Sequence, residues 1–162
     1  MKKVILTAIL CCSAVVATQA QEISKNALGL RIGDNDGFGA EISYQRSLQK
    51  NNRLELDLGW RSNHDYKAFK VVGLYEWVWK IDGGFNWYAG VGAGIGSWSY
   101  KGKYHRDTDS GAFGLATGNI GIEYHFDIPL QIGLDFRPEL YFNDDYRDGI
   151  QADFGVSVRY KF

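Results

Sequence analysis

From Arg53 to Trp60 the chain alternates without a break: Leu54, Leu56, Leu58 and Trp60 fall on one face, and Arg53, Glu55, Asp57 and Gly59 on the other. Alternation at period two marks an extended strand whose two faces meet unlike surroundings. The pattern recurs about eight times and closes the chain, where Ala152, Phe154, Val156, Val158, Tyr160 and Phe162 share one face. It predicts strands over 27–33, 38–47, 53–61, 68–81, 85–100, 112–126, 130–142 and 150–162. Turn-forming clusters separate them at 34–37, 49–52, 62–65, 82–84, 101–111, 127–129 and 143–149. Eight strands joined by short connections, with no helical periodicity between them, pair as an antiparallel meander. Closing that meander into an up-and-down barrel removes its exposed edges.

The first twenty residues stand outside this pattern. Lys2 and Lys3 precede an apolar run over 4–17 and the small-residue site Thr18, Gln19, Ala20, which reads as a cleaved secretory signal peptide. The predicted division is a signal peptide at 1–20 and one barrel domain at 21–162. Both cysteines, Cys11 and Cys12, leave with the signal, so the exported domain has no disulfide to hold it together. Leu10 and Cys11 stand where a lipoprotein signal needs a small residue, which disfavours lipid modification. The remaining 142 residues carry sixteen basic and nineteen acidic side chains without a basic block, which argues against nucleic acid as a partner. No run of about eighteen apolar residues is present in them, so a helical membrane span is excluded.

Alternation does not say which face points outward. A water-soluble barrel puts its apolar set inside, whereas a membrane barrel puts it against lipid. The chain is rich in aromatics, at 15 %, and in glycine, with 20 residues, and parity separates the two. Gly90, Gly92, Gly94 and Gly96 lie opposite Trp87, Ala89, Val91, Ala93 and Ile95, as a thinned inner wall that leaves room for long charged side chains from across the barrel. The apolar face ends in Tyr44, Trp60, Tyr75, Trp77, Trp79, Phe85, Trp87, Tyr124, Phe126, Tyr160 and Phe162, the rings that a membrane–water interface selects. The resulting fold class is all-β, an eight-stranded antiparallel up-and-down transmembrane β-barrel.

On the polar face, parity collects the basic residues Arg31, Arg53, Arg61, Lys70, Lys80, Arg137, Arg159 and Lys161. It also collects the acidic residues Glu41, Glu55, Asp57, Glu76, Glu123, Asp135, Glu139 and Asp153, eight of each sign. Buried charges persist when paired and hydrogen-bonded, so this balance predicts a salt-bridge lattice filling the lumen. An ion-selective pore would show a ring of one sign, and eight strands are too few for a wide channel. No cofactor and no metal are expected. The loop acids Asp107, Asp109, Asp144, Asp145 and Asp148 lack the spacing of a calcium loop and read as solvated.

The last strand, Val156-Ser157-Val158-Arg159-Tyr160-Lys161-Phe162, ends in Phe with aromatics at alternate places, and resembles the terminal strand of bacterial outer-membrane barrels. The whole mature chain resembles their small eight-stranded class, that of OmpX and the OmpA membrane domain. This resemblance implies that Tyr160 and Phe162 form part of the signal read by the barrel-assembly machinery during biogenesis. It implies periplasmic termini, extracellular connections at 34–37, 62–67, 101–111 and 143–149, and periplasmic turns at 48–52, 82–84 and 127–129. The expected partners are outer-membrane lipid and lipopolysaccharide, and the expected state is a monomer. Pro138 cannot donate to a strand ladder, so a bulge or strand end is expected there.

The expected function is structural, with a closed polar lumen, loops for surface contact and no catalysis. Passage or binding of a small or hydrophobic solute would need an apolar or uniformly charged lumen. A lipid A-modifying hydrolase would draw on His64, His105 or His125 with Ser62 or Ser110; one of the PagL type would resemble His-x-Ser-Asn on a late strand, whereas Trp60-Arg61-Ser62-Asn63 lies early and has Trp where that resemblance needs the base. A soluble secreted ligand-binding barrel would turn the apolar face inward.

Overall fold

The computed structural model describes residues 23–33, 39–62, 66–101, 108–142 and 149–162, with Lys101 and Thr108 described by backbone alone. The segment 1–20, both cysteines, His64 and His105, and the loop acids except Asp109 lie outside the described residues. Eight strands follow in order: β1 (Asn26–Gly33), β2 (Glu41–Gln49), β3 (Asn52–Ser62), β4 (Tyr66–Asp82), β5 (Phe85–Lys101), β6 (Thr108–His125), β7 (Leu130–Tyr141) and β8 (Ile150–Lys161). Each pairs antiparallel with the next and β8 pairs with β1, so the sheet closes on itself. Following register partners once round the ring, from Tyr160 through Leu28, Tyr44, Leu56, Gly73, Ala93, Ala116 and Leu140, leads to Ile150, ten residues before the start. That stagger tilts the strands by about 40° and sets a lumen just wide enough to be filled by side chains.

Both chain ends and the connections after β2, β4 and β6 share one end of the barrel, here the turn end; the other is the loop end. The turn between β4 and β5 uses Gly83 (φ 58°) and Gly84 (φ 89°), a left-handed pair that matches the twist of a tight hairpin. Asn26 closes the seam: its N–H donates to Phe162 O at 3.1 Å and its carbonyl accepts from Phe162 N at 2.9 Å. Its side-chain oxygen accepts from Tyr44 Oη at 2.8 Å.

Leu30, Val91, Ile95, Leu134 and Phe154 all point outward and are more than half exposed, up to 70 % at Ile95. A water-soluble protein does not carry such a surface around its whole girth, so this face is the one that meets lipid. The aromatics are gathered unevenly. Trp79 and Trp87 stack at 4.2 Å, Phe85 lies 4.7 Å from Tyr124, and Tyr124 lies 4.7 Å from Phe126, all at the turn end. Trp60 is the member of the set near the loop end, where Phe69 and Phe142 also face outward.

Three local expectations change. The connection expected over 101–111 is partly strand, since β6 begins at Thr108 and Trp98, Ser99 and Tyr100 pair with Gly111, Ser110 and Asp109. Pro138 neither ends β7 nor shifts its register: Thr117 pairs with Glu139 and Ile120 with Phe136 on either side of it, and only the ladder to β6 is interrupted. Thr117 Oγ1 donates to Pro138 O at 2.9 Å and so occupies a carbonyl beside the break. Finally, the nearest neighbours of the glycine wall on β5 belong to the adjacent strands rather than to the far side of the barrel. A methyl group on Gly90 would fall 2.8 Å from Glu76 Cγ and one on Gly92 2.9 Å from Leu74, both on β4; one on Gly94 would fall 3.0 Å from Val72 on β4 and 3.2 Å from Leu115 on β6. In a narrow cylinder the side chains of the adjacent strands lean over the bare strand.

Candidate functional site in the barrel lumen

Strand parity turns every second residue into the lumen, and the inward set divides into layers along the axis. Near the turn end, Arg53 on β3 donates from Nε to Glu76 Oε2 and from Nη1 to Glu123 Oε2, each at 2.6 Å. Asn119 holds the second Glu76 oxygen at 2.6 Å, and Glu123 also meets Asn86 at 3.3 Å and His125 Nε2 at 2.9 Å. The Arg53 guanidinium carbon lies 4.6 Å above the centre of the Tyr88 ring. Tyr88 itself is fully buried because Gly121 on the next strand has no side chain: a methyl group there would fall 2.5 Å from the phenol oxygen.

The middle layer is built on three arginines. Arg31 donates to both Asp135 oxygens, to Asp153 at 2.7 Å and to Glu41 at 3.3 Å. Arg137 lies 2.7 Å from Asp57 Oδ2, 2.9 Å from Glu55 Oε1 and 3.3 Å from Glu41 Oε2, so three carboxylates share one guanidinium. Arg159 meets the other Glu55 oxygen at 3.0 Å and the hydroxyls of Ser43 and Ser157. Arg31 has room for its planar head because it rests on Gly155, where a methyl group would fall 2.5 Å from Cζ. Above these, Lys70 bridges Glu41 at 3.2 Å and Glu139 at 2.8 Å, and Tyr141 donates to the other Glu139 oxygen at 2.7 Å.

Tyr141 begins a third layer. With Ala68, Phe113 and Leu115 it forms a buried apolar cluster, flanked by Tyr66 and Trp98, which occupies the loop end of the lumen. Phe113 and Leu115 share the parity of Asn119 and Glu123, so the inward face of β6 changes from polar to apolar along its length.

The expected equality of charges is corrected. All eight acidic residues of the polar face are buried, but among the described residues only five basic ones are: Arg31, Arg53, Lys70, Arg137 and Arg159. Arg61 is half-buried at the loop rim, where its guanidinium carbon lies 5.1 Å over the Tyr66 ring. Lys80 is exposed at the turn end, and Lys161 donates to Phe126 O at 3.0 Å on that rim. Parity assigns these three to the correct face, but they lie beyond the ends of the lumen. Among the described residues the buried interior therefore carries an acidic excess of three formal charges.

Two residues that a census of charges overlooks join the layers. Gln131 Nε2 reaches Glu123 Oε2 at 2.9 Å and Gln45 Oε1 at 3.0 Å, while Gln45 Nε2 reaches Glu55 Oε2 at 2.5 Å. The signal that finds them is parity, since both alternate with lipid-facing residues on β2 and β7. With Asn86 included, the hydrogen-bonded network draws side chains from all eight strands. Among the described residues no group of three His, Cys, Asp or Glu is placed to hold a metal ion.

No protein-family model matches the chain, and no curated protein matches it in sequence. Solved structures do match its fold. The N-terminal β-barrel domain of Pseudomonas aeruginosa OprF superposes with a TM-score of 0.61 at 14 % identity, over 86 % of this chain and 100 % of that one. Ail, the attachment invasion locus protein of Yersinia pestis, gives 0.60 at 14 % identity over 86 % and 97 %. Neisserial surface protein A gives 0.59 at 12 % over 85 % and 94 %. The chain thus has the fold of the small eight-stranded transmembrane barrels, over nearly the full length of each.

Proposed function

We propose that this protein is a structural outer-membrane barrel with its lumen closed by the charge lattice and the apolar layer above it, acting through surface contacts rather than catalysis. The observation that carries the reading is the network drawn from all eight strands, in which buried arginine and lysine heads and their carboxylates cross the lumen. Under it, the turns and both termini face the periplasm, the loops face outward, and lipid and lipopolysaccharide surround a monomer. Tyr160, exposed on the outer face of β8, and Phe162, exposed just beyond its end, are available to the assembly machinery. A structural neighbour that is an attachment invasion locus protein supports surface contact as the role of the loops.

Two measurements test this. Purified protein run with and without boiling should migrate at different positions and fractionate with membranes; one position, from a soluble fraction, would sink the membrane reading. In a planar bilayer the protein should be silent, and steady salt-dependent single-channel steps would overturn the closed lumen. A second reading, slow passage of small cations, is favoured by the acidic excess of the interior and would show as steps that vanish when sodium is replaced by a large organic cation.

A further inference from the structure

Charges at the turn end are sorted differently from those in the lumen. Among the described residues, Lys25, Arg46, Lys50 and Lys80 are all exposed there, against the exposed acids Asp82 and Asp127. None of the four cationic heads makes a hydrogen bond or ion pair with a described side chain, in contrast to the engaged cations inside. Lys25 and Lys50 line an open concavity of about 480 Å³ together with Ile23, Ser24, Ser47 and Gln49. That volume falls within the roughly 300–1,000 Å³ of small-ligand clefts. The concavity is held in shape by the backbone, since Ser47 N donates to Lys25 O at 3.0 Å and Ser47 Oγ donates to Gln49 O at 3.1 Å. Arg46 pairs in register with Asn26 and points outward with the lipid-facing residues Tyr44 and Leu48.

We propose that Lys25, Arg46 and Lys50 of this basic collar bind the phosphate headgroups of anionic phospholipids in the leaflet that surrounds the turn end, while Lys80 stands on the lumen side of the rim. The proposal rests on the membrane reading above and adds a lipid class to it. Height decides the occupant: the rings of Trp77, Trp79, Trp87, Phe85 and Tyr124 mark the headgroup level at this end, and the collar sits at that same end, where phosphates lie. Charge decides the class. A phosphodiester accepts from the Lys25 and Lys50 ammonium groups and the Ser24 hydroxyl, whereas a choline head would bring a further cation among unpaired ones. Leu48, half exposed beside Arg46, offers apolar contact to the glycerol and first methylenes.

The full chain, refolded in phosphatidylcholine vesicles, tests this with brominated phosphatidylglycerol or brominated phosphatidylcholine as quencher of tryptophan fluorescence, since Trp77, Trp79 and Trp87 face lipid at the collar end. The expected result is preferential quenching by the anionic lipid, roughly fivefold for each cation engaged at low salt. The preference should fall to about one in a Lys25→Gln, Arg46→Gln, Lys50→Gln variant. A Lys67→Gln control at the loop end should keep it, with both variants still showing a heat-dependent shift on a gel. Equal quenching by the two lipids, or a preference that survives the triple substitution, would overturn the proposal. Erasure of the preference by inorganic phosphate, but not by chloride at the same ionic strength, would assign the concavity to a soluble anion and also overturn it. Loss of the heat-dependent shift in the wild type would mark failure of the membrane reading itself.

Discussion

Gln131 Nε2 donates to Gln45 Oε1 at 3.0 Å, and this neutral contact joins the turn-end carboxylates to the arginine-rich layer above them. Replacing Gln131 with Leu strands the Gln45 oxygen and removes a donor from Glu123. A destabilisation of about 1–3 kcal/mol is expected. Urea unfolding in detergent checks it, and a double-mutant cycle with Gln45→Leu should give non-additive costs. Additive costs would mean that the two amides act separately.

Arg137 holds Glu41, Glu55 and Asp57 together, so Arg137→Met should be the most damaging single change in the lumen, at about 3–5 kcal/mol. The loss comes from buried carboxylates left without a counter-charge. Adding Asp57→Asn to Arg137→Met should therefore recover part of the unfolding midpoint, and a double variant weaker than the single one would refute the shared-guanidinium account.

Gly133 faces the Ser157 hydroxyl, and a methyl group on it would lie 2.7 Å from Oγ but 3.7 Å from the next nearest atoms. Gly133→Ala should cost about 1–3 kcal/mol through this overlap. In a Ser157→Gly background the same substitution should cost less than half as much. An equal cost in both backgrounds would place the strain in the backbone instead.

At the seam, Phe162 is joined to Asn26 through backbone atoms while its ring is exposed. Phe162→Ala should leave the unfolding free energy of assembled protein within about 0.5 kcal/mol of wild type. Its amount in the outer membrane of cells should drop. A midpoint shift matching the loss in cells would make the ring a stability element rather than an assembly signal.

The fold was legible because period two is the same along every strand, and Leu54 to Trp60 already states it. The contents of the lumen were legible only in part, because parity gives a side chain's face and not its height. Lys80 and Lys161 share a face with Glu76 and Arg159, yet stand beyond the lumen at the turn-end rim. Phe113 and Leu115 alternate correctly, but a rule that sends apolar residues to lipid misses an apolar layer inside the loop end. Gln45 and Gln131 carry no charge and so escape a count of charges. Height depends on the ten-residue stagger, which arises from how eight strands close and is written in no single segment.

The sharing of the Arg31, Arg53 and Arg137 guanidinium groups among several carboxylates also constrains how this chain can change over generations. A substitution at Glu55 disturbs Arg137 and Arg159, and through Arg137 it reaches Asp57 and Glu41. Tolerated variation inside the barrel should therefore arrive as correlated sets drawn from several strands. On the lipid face, Leu30 or Ile95 can drift among apolar residues one at a time. Two sequences of this lineage could thus look unrelated on their outer surface while still sharing an inherited pattern of coupled interior positions.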